Sequence, residues 1–169
     1  LTLNIFNKHA DRLMMANIAQ TVNVLQSVIL TDGEKMIKTP TYYVFKMYKE
    51  HQENTLVGSY ITTPLVNSPN DNKDFPQLCE SASVDENGTI YSTITNNSST
   101  KSAKIKCQIA DTKVESITAE ILTGECHQKN DFDNADNVKT VEFTDFRKLK
   151  DGFTATIPAC SVVKFVINK

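Results

Sequence analysis

Eight short stretches rich in Thr, Ser, Val and Ile follow one another through the second two-thirds of the chain. They constrain its fold more than any other feature. They cover residues 57–62, 77–84, 89–96, 103–110, 116–123, 138–143, 153–157 and 160–167. The alternations Ile117/Ala119/Ile121 and Val163/Phe165/Ile167 bury one face and wet the other, as antiparallel strands do. Turn residues separate the stretches. Asn87-Gly88 predicts a tight hairpin, because a type I′ turn takes positive φ at both central positions. Asp151-Gly152 predicts a second hairpin, and Asn96-Asn97-Ser98-Ser99 a loop. Residues 127–137, with Phe132 alone among polar neighbours, read as a long loop. The expected fold is therefore mainly β, an antiparallel jelly-roll β-sandwich over residues 56–169.

The first 55 residues differ. They are rich in Met, Ala, Leu and Lys, and the clearest helix spans residues 40–52. Thr39 can cap it, and Pro40 suits the first helical position, where its missing N–H goes unmissed. Tyr43, Val44, Met47, Tyr48 and His51 form one stripe of a 3.6-residue period, expected to pack. Asp32-Gly33 marks a turn. Ahead of it, HADRLMMANIAQTVNV (residues 9–24) sets Asn17, Gln20 and Asn23 among apolar residues. An unpaired buried amide costs about 1–3 kcal/mol, so these groups need partners or a task. Two helices and one strand close no core, and such a segment belongs in a larger layered structure. The chain opens on Leu1 inside an apolar run and reads as a piece of something longer, with cytoplasmic, secreted and periplasmic origins all left open.

Composition narrows the functional classes. At 169 residues and 40% hydrophobic content, the chain can bury a core. Its 18 basic and 20 acidic residues are mixed, net −2, which argues against nucleic-acid or membrane-surface partners. No apolar run approaches the roughly 20 residues that span a bilayer. His9, His51 and His127 lack a nucleophile-elbow Ser or Cys, and no GxSxG or GxGxxG occurs, so neither a hydrolytic triad nor a cofactor is expected. Asp131, Asp133, Asp136 and Asp145 lie in expected loops. Solvated charge explains them better than calcium, since the EF-hand spacing is missing. Asn87, Asn96 and Asn97 begin Asn-x-Ser/Thr triplets that polar turns explain as well as glycosylation does. Cys79, Cys107, Cys126 and Cys160 permit three pairings that sequence cannot separate, and free, buried thiols are the preferred reading. Cys126-His127 has no second Cys/His pair at zinc spacing, so no metal site is expected.

Residues 9–52 carry a further signal: His-Ala-Asp-Arg, then Ala-Asn-Ile-Ala-Gln, Val-Asn-Val and Thr-Pro-Thr-Tyr-Tyr. Downstream come Ser81-Ala82-Ser83, Ala119-Glu120-Ile121-Leu122-Thr123, Phe132-Asp133-Asn134 and Ile157-Pro158-Ala159-Cys160-Ser161-Val162-Val163. In this order the series resembles the carboxyl-terminal third of the α-L-arabinofuranosidases of glycoside hydrolase family 51. The resemblance implies a (β/α)₈ barrel followed by a jelly-roll sandwich. Residues 1–55 would then be the last α-β-α segment of the barrel, with an eighth strand over 13–20 and an eighth helix over 40–52, and residues 56–169 the sandwich. It further implies that Gln20, at a strand's carboxyl end, hydrogen-bonds arabinofuranose. Family members are retaining enzymes whose two catalytic glutamates stand on earlier strands, with carboxyl groups about 5–5.5 Å apart. This chain holds neither, so no catalytic residue is expected in it. The implied partners are the rest of the barrel, arabinose-containing oligo- or polysaccharides such as arabinan and arabinoxylan, and further copies in a homo-oligomer. One departure stands out: a family loop of His-Asn-Thr-Phe-Asp-Asn-Pro is here Lys129-Asn130-Asp131-Phe132-Asp133-Asn134-Ala135. The rival reading is a free-standing carbohydrate-binding sandwich, to which the absence of Trp lends little support.

Overall fold

The computed structural model describes residues 1–68 and 73–169. Helix α1 (Thr2–Lys8) leads into an irregular loop, then a hairpin of β1 (Ile29–Asp32) and β2 (Lys35–Lys38) turned at Gly33. Helix α2 (Pro40–Tyr48) runs on into a single 3₁₀ turn, Lys49–His51. Strands β3 (Thr55–Val57), β4 (Leu65–Asn67), β5 (Asp74–Pro76), β6 (Leu78–Val84), β7 (Ile90–Asn96), β8 (Ala103–Gln108) and β9 (Ser116–Thr123) follow. The chain closes with β10 (Val141–Glu142), β11 (Phe146–Lys148), β12 (Gly152–Ile157) and β13 (Ser161–Asn168).

The strands build a sandwich. One sheet runs β10-β9-β13-β7-β6-β3, the other β11-β12-β8, and every pairing between these strands is antiparallel. Register aligns the inward rows. Val163 faces Ile121 and Ile94, Phe165 faces Ala119 and Ser92, and Ile167 faces Ile117 and Ile90. From the smaller sheet come Phe153 and Ile157, each 0% exposed, with Ala155 between them. Phe165 is the centre. Its ring stacks on Phe153 at 4.2 Å between centroids and meets Phe143 and Phe146 edge-on at 6.0 and 5.8 Å. Edge-to-face and offset contacts of this kind suit the aromatic quadrupole.

α1 and α2 lie on the outer face of the larger sheet. Tyr43, Met47 and Tyr48 from the expected stripe are buried with Leu122 and Val138, and Val162 packs alongside. Helix and sheet therefore share a second, smaller core beside the sandwich core.

Several expectations shift. Residues 13–20 carry no strand: a strand exists by pairing, and apart from an isolated parallel bridge between Val22 and Ile29 this loop joins no ladder among the described residues. The stretch expected at 138–143 contracts to Val141–Glu142, because the Asn130 side chain occupies both the N–H and the C=O of Val138. Residues 57–62 yield only the end of β3, after which Ile61 still packs on the core. β1, β2, β4, β5 and β11 were not anticipated. At Asn87-Gly88 only Gly88 takes positive φ (85°), so the β6–β7 turn is not type I′. Asp85 builds it instead, its carboxylate accepting the N–H groups of Asn87 and Thr89. Thr39 makes no side-chain cap to α2. Its hydroxyl donates back to the carbonyls of Ser27 (2.7 Å) and Val28 (3.1 Å).

Candidate functional site

The interface between the helices and the sandwich concentrates the buried polar chemistry. The outer face of the larger sheet presents hydroxyls: Ser81 and Ser83 on β6, Thr93 and Thr95 on β7, all buried. Asn4, 0% exposed in α1, fits into this row. Its amide donates to the carbonyl of Cys79 (2.8 Å), while its oxygen accepts from the hydroxyls of Tyr48 and Ser81 (2.8 Å each). Asn7, one turn on, donates to the Ser81 hydroxyl at 3.0 Å. Burial, with a smaller effect of Cys79, holds the Tyr48 phenol well above its ordinary pKa, so it stays a donor. One asparagine thus joins α1, α2 and β6. Lys8 at the end of α1 adds an ion pair with the nearly buried Glu80.

His51 continues the row. Its Nδ1 bonds the Ser83 hydroxyl at 2.9 Å and its Nε2 the Thr93 hydroxyl at 2.7 Å. Burial first, and then the Lys164 ammonium, push His51 down to about 4 from its usual 6.5. Lys164 itself pairs with Glu120 at 2.9 Å and approaches Glu50 at 4.0 Å. The ring is therefore neutral at physiological pH, one nitrogen donating and the other accepting.

This predicts acid sensitivity. The unfolded chain takes a proton on His51 near pH 6.5, the folded one only near 4. Between those values the unfolded state binds more protons, so the contribution is intact above pH 6.5, falls through the window and levels off below it. The loss reaches about 3 kcal/mol at full titration. Urea unfolding between pH 7.5 and 4.5 checks this against His51→Gln, which keeps a polar amide at this position and does not titrate. Equal pH slopes in the two proteins would rule it out.

The 127–137 loop closes a second junction. Asn130, 4% exposed, holds Val138 at both backbone groups and also donates to the carbonyl of Lys38 (2.8 Å), where β2 leads into α2. The Asp131 carboxylate accepts the N–H groups of Asp133 (3.1 Å) and Asn134 (2.8 Å), which gives the loop its turn. The motif's asparagine thus anchors this loop to the helical segment, although its preceding His and closing Pro are replaced.

The opening amides separate. Asn23, at φ 54°, donates to the Thr31 hydroxyl (2.8 Å) and accepts the Thr31 N–H (2.7 Å), so its partners are local. Asn17 lines an open cleft of about 420 Å³ between α1 and α2, with Ile18 and Gln26 beside it and Tyr48 and Val162 on its walls. Gln20, the sequence-expected ligand residue, lies exposed in the loop and is not among the cleft's lining residues. Around it the loop leaves Met14 (100%), Met15 (74%) and Leu25 (90%) open to solvent. Cys126 is exposed and the other three thiols are half-buried, so the thiols are free but not the buried set expected from sequence. Asn4 and the His51 contacts went unread in the sequence. A lone Asn in the apolar run Leu1-Thr2-Leu3-Asn4-Ile5-Phe6, set against the Ser/Thr-rich stretches 81–83 and 92–95, was the available signal.

Fold and interface together define an all-β sandwich carrying a helical layer on one sheet, with an uncovered apolar loop beyond it. The profile of the α-L-arabinofuranosidase C-terminal domain matches residues 1–161. An intracellular exo-α-L-arabinofuranosidase of Bacteroides ovatus is 40% identical over 164 residues, covering 96% of this chain and 32% of that protein. The crystal structure of the GH51 arabinofuranosidase from Xanthomonas axonopodis pv. citri superposes with a TM-score of 0.93 at 33% identity, over 99% of this chain and 34% of that one. The α-L-arabinofuranosidase of Thermotoga maritima in its arabinose complex shares the fold, with a TM-score of 0.82 at 22% identity, over 97% of this chain and 36% of that one. The chain belongs to the α-L-arabinofuranosidase C-terminal domain family. It spans about one third of the length of these relatives.

Proposed function

We propose that this chain is the non-catalytic jelly-roll sandwich of a retaining α-L-arabinofuranosidase (residues 56–169), joined to the last helix–strand–helix segment of its (β/α)₈ barrel (residues 1–55). The observation that carries the reading is the loop bearing Met14, Met15 and Leu25, apolar and open to solvent. Three large apolar side chains left this open on one loop mark a face that another body covers. In the complete enzyme, barrel strands flank residues 13–20, convert the loop into a ladder strand and bring Gln20 to the carboxyl-terminal rim, where it hydrogen-bonds arabinofuranose. The glutamate pair belongs to the rest of that barrel. The enzyme hydrolyses terminal arabinofuranosyl residues of arabinan- or arabinoxylan-type glycans, and the sandwich acts as its support.

One assay tests this, with a chromogenic arabinofuranoside as substrate and three samples: the isolated chain, the complete enzyme, and the complete enzyme with Gln20→Ala. The isolated chain is expected to release nothing, and the variant to lose about tenfold or more in kcat/KM, the worth of one hydrogen bond in a desolvated site. Release by the isolated chain would overturn the division of labour, and an unchanged variant would overturn the role of Gln20. Titration of the isolated chain with arabino-oligosaccharides should give negligible heat. Binding at millimolar strength or tighter would instead support a free-standing carbohydrate-binding module.

A further inference from the structure

Two of the four cysteines meet, and strand register brings them together. β13 begins at Ser161, paired with Thr123 at the end of β9. Cys160 therefore stands one residue before that pair, and Cys126 three residues after it. A turn closed by the Gln128 N–H on the Glu125 carbonyl (2.9 Å), with the Glu125 N–H on the Gln128 side chain (3.1 Å), folds Cys126 back over the β9–β13 end. Cys160 is held on its own side. Its N–H donates to the Ser98 carbonyl (2.8 Å), the Thr123 hydroxyl reaches the carbonyls of Ala159 and Cys160, and its backbone sits at φ 45°. The two Sγ atoms are 2.8 Å apart. Cys79 and Cys107 lie on β6 and β8, in different sheets.

We propose that Cys126 and Cys160 form a redox-modification site that closes to an intrachain disulfide on reaction with a low-molecular-weight disulfide such as oxidised glutathione. The exposed Cys126 reacts first. Its thiolate attacks one glutathione sulfur, an S–S bond breaks, and one glutathione thiolate leaves and takes up a proton. Cys160 then gives up its proton to solvent and attacks the Cys126 sulfur, expelling the second glutathione. Two protein thiols are oxidised and one disulfide is reduced to two thiols. Burial raises the Cys160 thiol to about 11, helped by the hydrogen bond and charge of Cys126. Blocking Cys126 in the mixed disulfide removes both of those contributions and leaves burial alone holding the Cys160 thiol up. An approach of about 0.8 Å between the sulfurs makes the bond. The closed bridge ties the 124–138 loop, and with it Asn130, to the start of β13.

The test exposes the folded chain to oxidised glutathione, alkylates what remains and maps the unreduced peptides by mass spectrometry. The expected result is a fall from four alkylated thiols to two, with Cys79 and Cys107 carrying the label. The 126- and 160-containing peptides should be joined with the loss of two hydrogens, and dithiothreitol should restore all four thiols. Cys126→Ser should leave Cys160 alkylated, and Cys160→Ser should stop at a stable glutathione adduct on Cys126. A lasting adduct on Cys126 in the unmutated chain, a bridge that includes Cys79 or Cys107, or four unchanged thiols would each overturn the proposal.

Discussion

Phe165→Ala should lower the stability of the folded chain by about 3–5 kcal/mol, the usual cost of removing a fully buried aromatic ring. Phe165 is 0% exposed and touches three other rings, two from the smaller sheet and Phe143 just past β10, so its removal leaves a cavity walled by large rigid side chains. Domains of this size are stable by about 5–15 kcal/mol in all, so the variant should sit near the limit of folding. Phe165→Leu keeps an apolar side chain and should lose only about 1–2 kcal/mol. Urea-unfolding midpoints measure both. A loss below about 1 kcal/mol for the alanine variant would mean that the aromatic stack is not the centre of the core.

The second large effect is expected at Asn4. Asn4→Ala leaves the buried Tyr48 hydroxyl without its acceptor, removes one partner from Ser81 and takes a donor from the Cys79 carbonyl. Unpaired buried groups cost about 1–3 kcal/mol each, and with partial relaxation the sum should come to about 2–4 kcal/mol. Pairing the change with Tyr48→Phe deletes the stranded hydroxyl. The double variant should therefore be more stable than the two single losses added together, with a coupling of about 1 kcal/mol or more. Strict additivity in that cycle would show that the Asn4–Tyr48 bond contributes nothing to holding the helices.

How much of this was legible in the sequence follows from what each element depends on. β9 and β13 were readable because alternation such as Val163/Phe165/Ile167 records one wet and one dry face along a single strand. α2 was readable because Pro40 and the Tyr43/Met47 stripe are local signals. β11 was missed because Phe146-Arg147-Lys148 is too short and polar to alternate, and it becomes a strand only by pairing with β12. The strand expected at 13–20 needs edges that no described segment offers. The Asn130 clamp could not be seen because its partners at Lys38 and Val138 lie 92 and 8 residues away. The hydroxyl row was visible as composition, but nothing local says which helix residue will meet it. Local patterns announce faces, and only the assembled chain says what each face meets.

That hydroxyl row has a geometric consequence. Greasy surfaces slide and rotate over one another with little penalty, whereas hydrogen bonds weaken steeply once distance or angle departs from ideal. The amide of Asn4 and the two ring nitrogens of His51 act as locating pins, spaced along two helical elements and seated in sockets on a stiff β surface. Three pins admit a single azimuth. Both helices are therefore set on the sandwich along one bearing, and the sandwich works as a protractor.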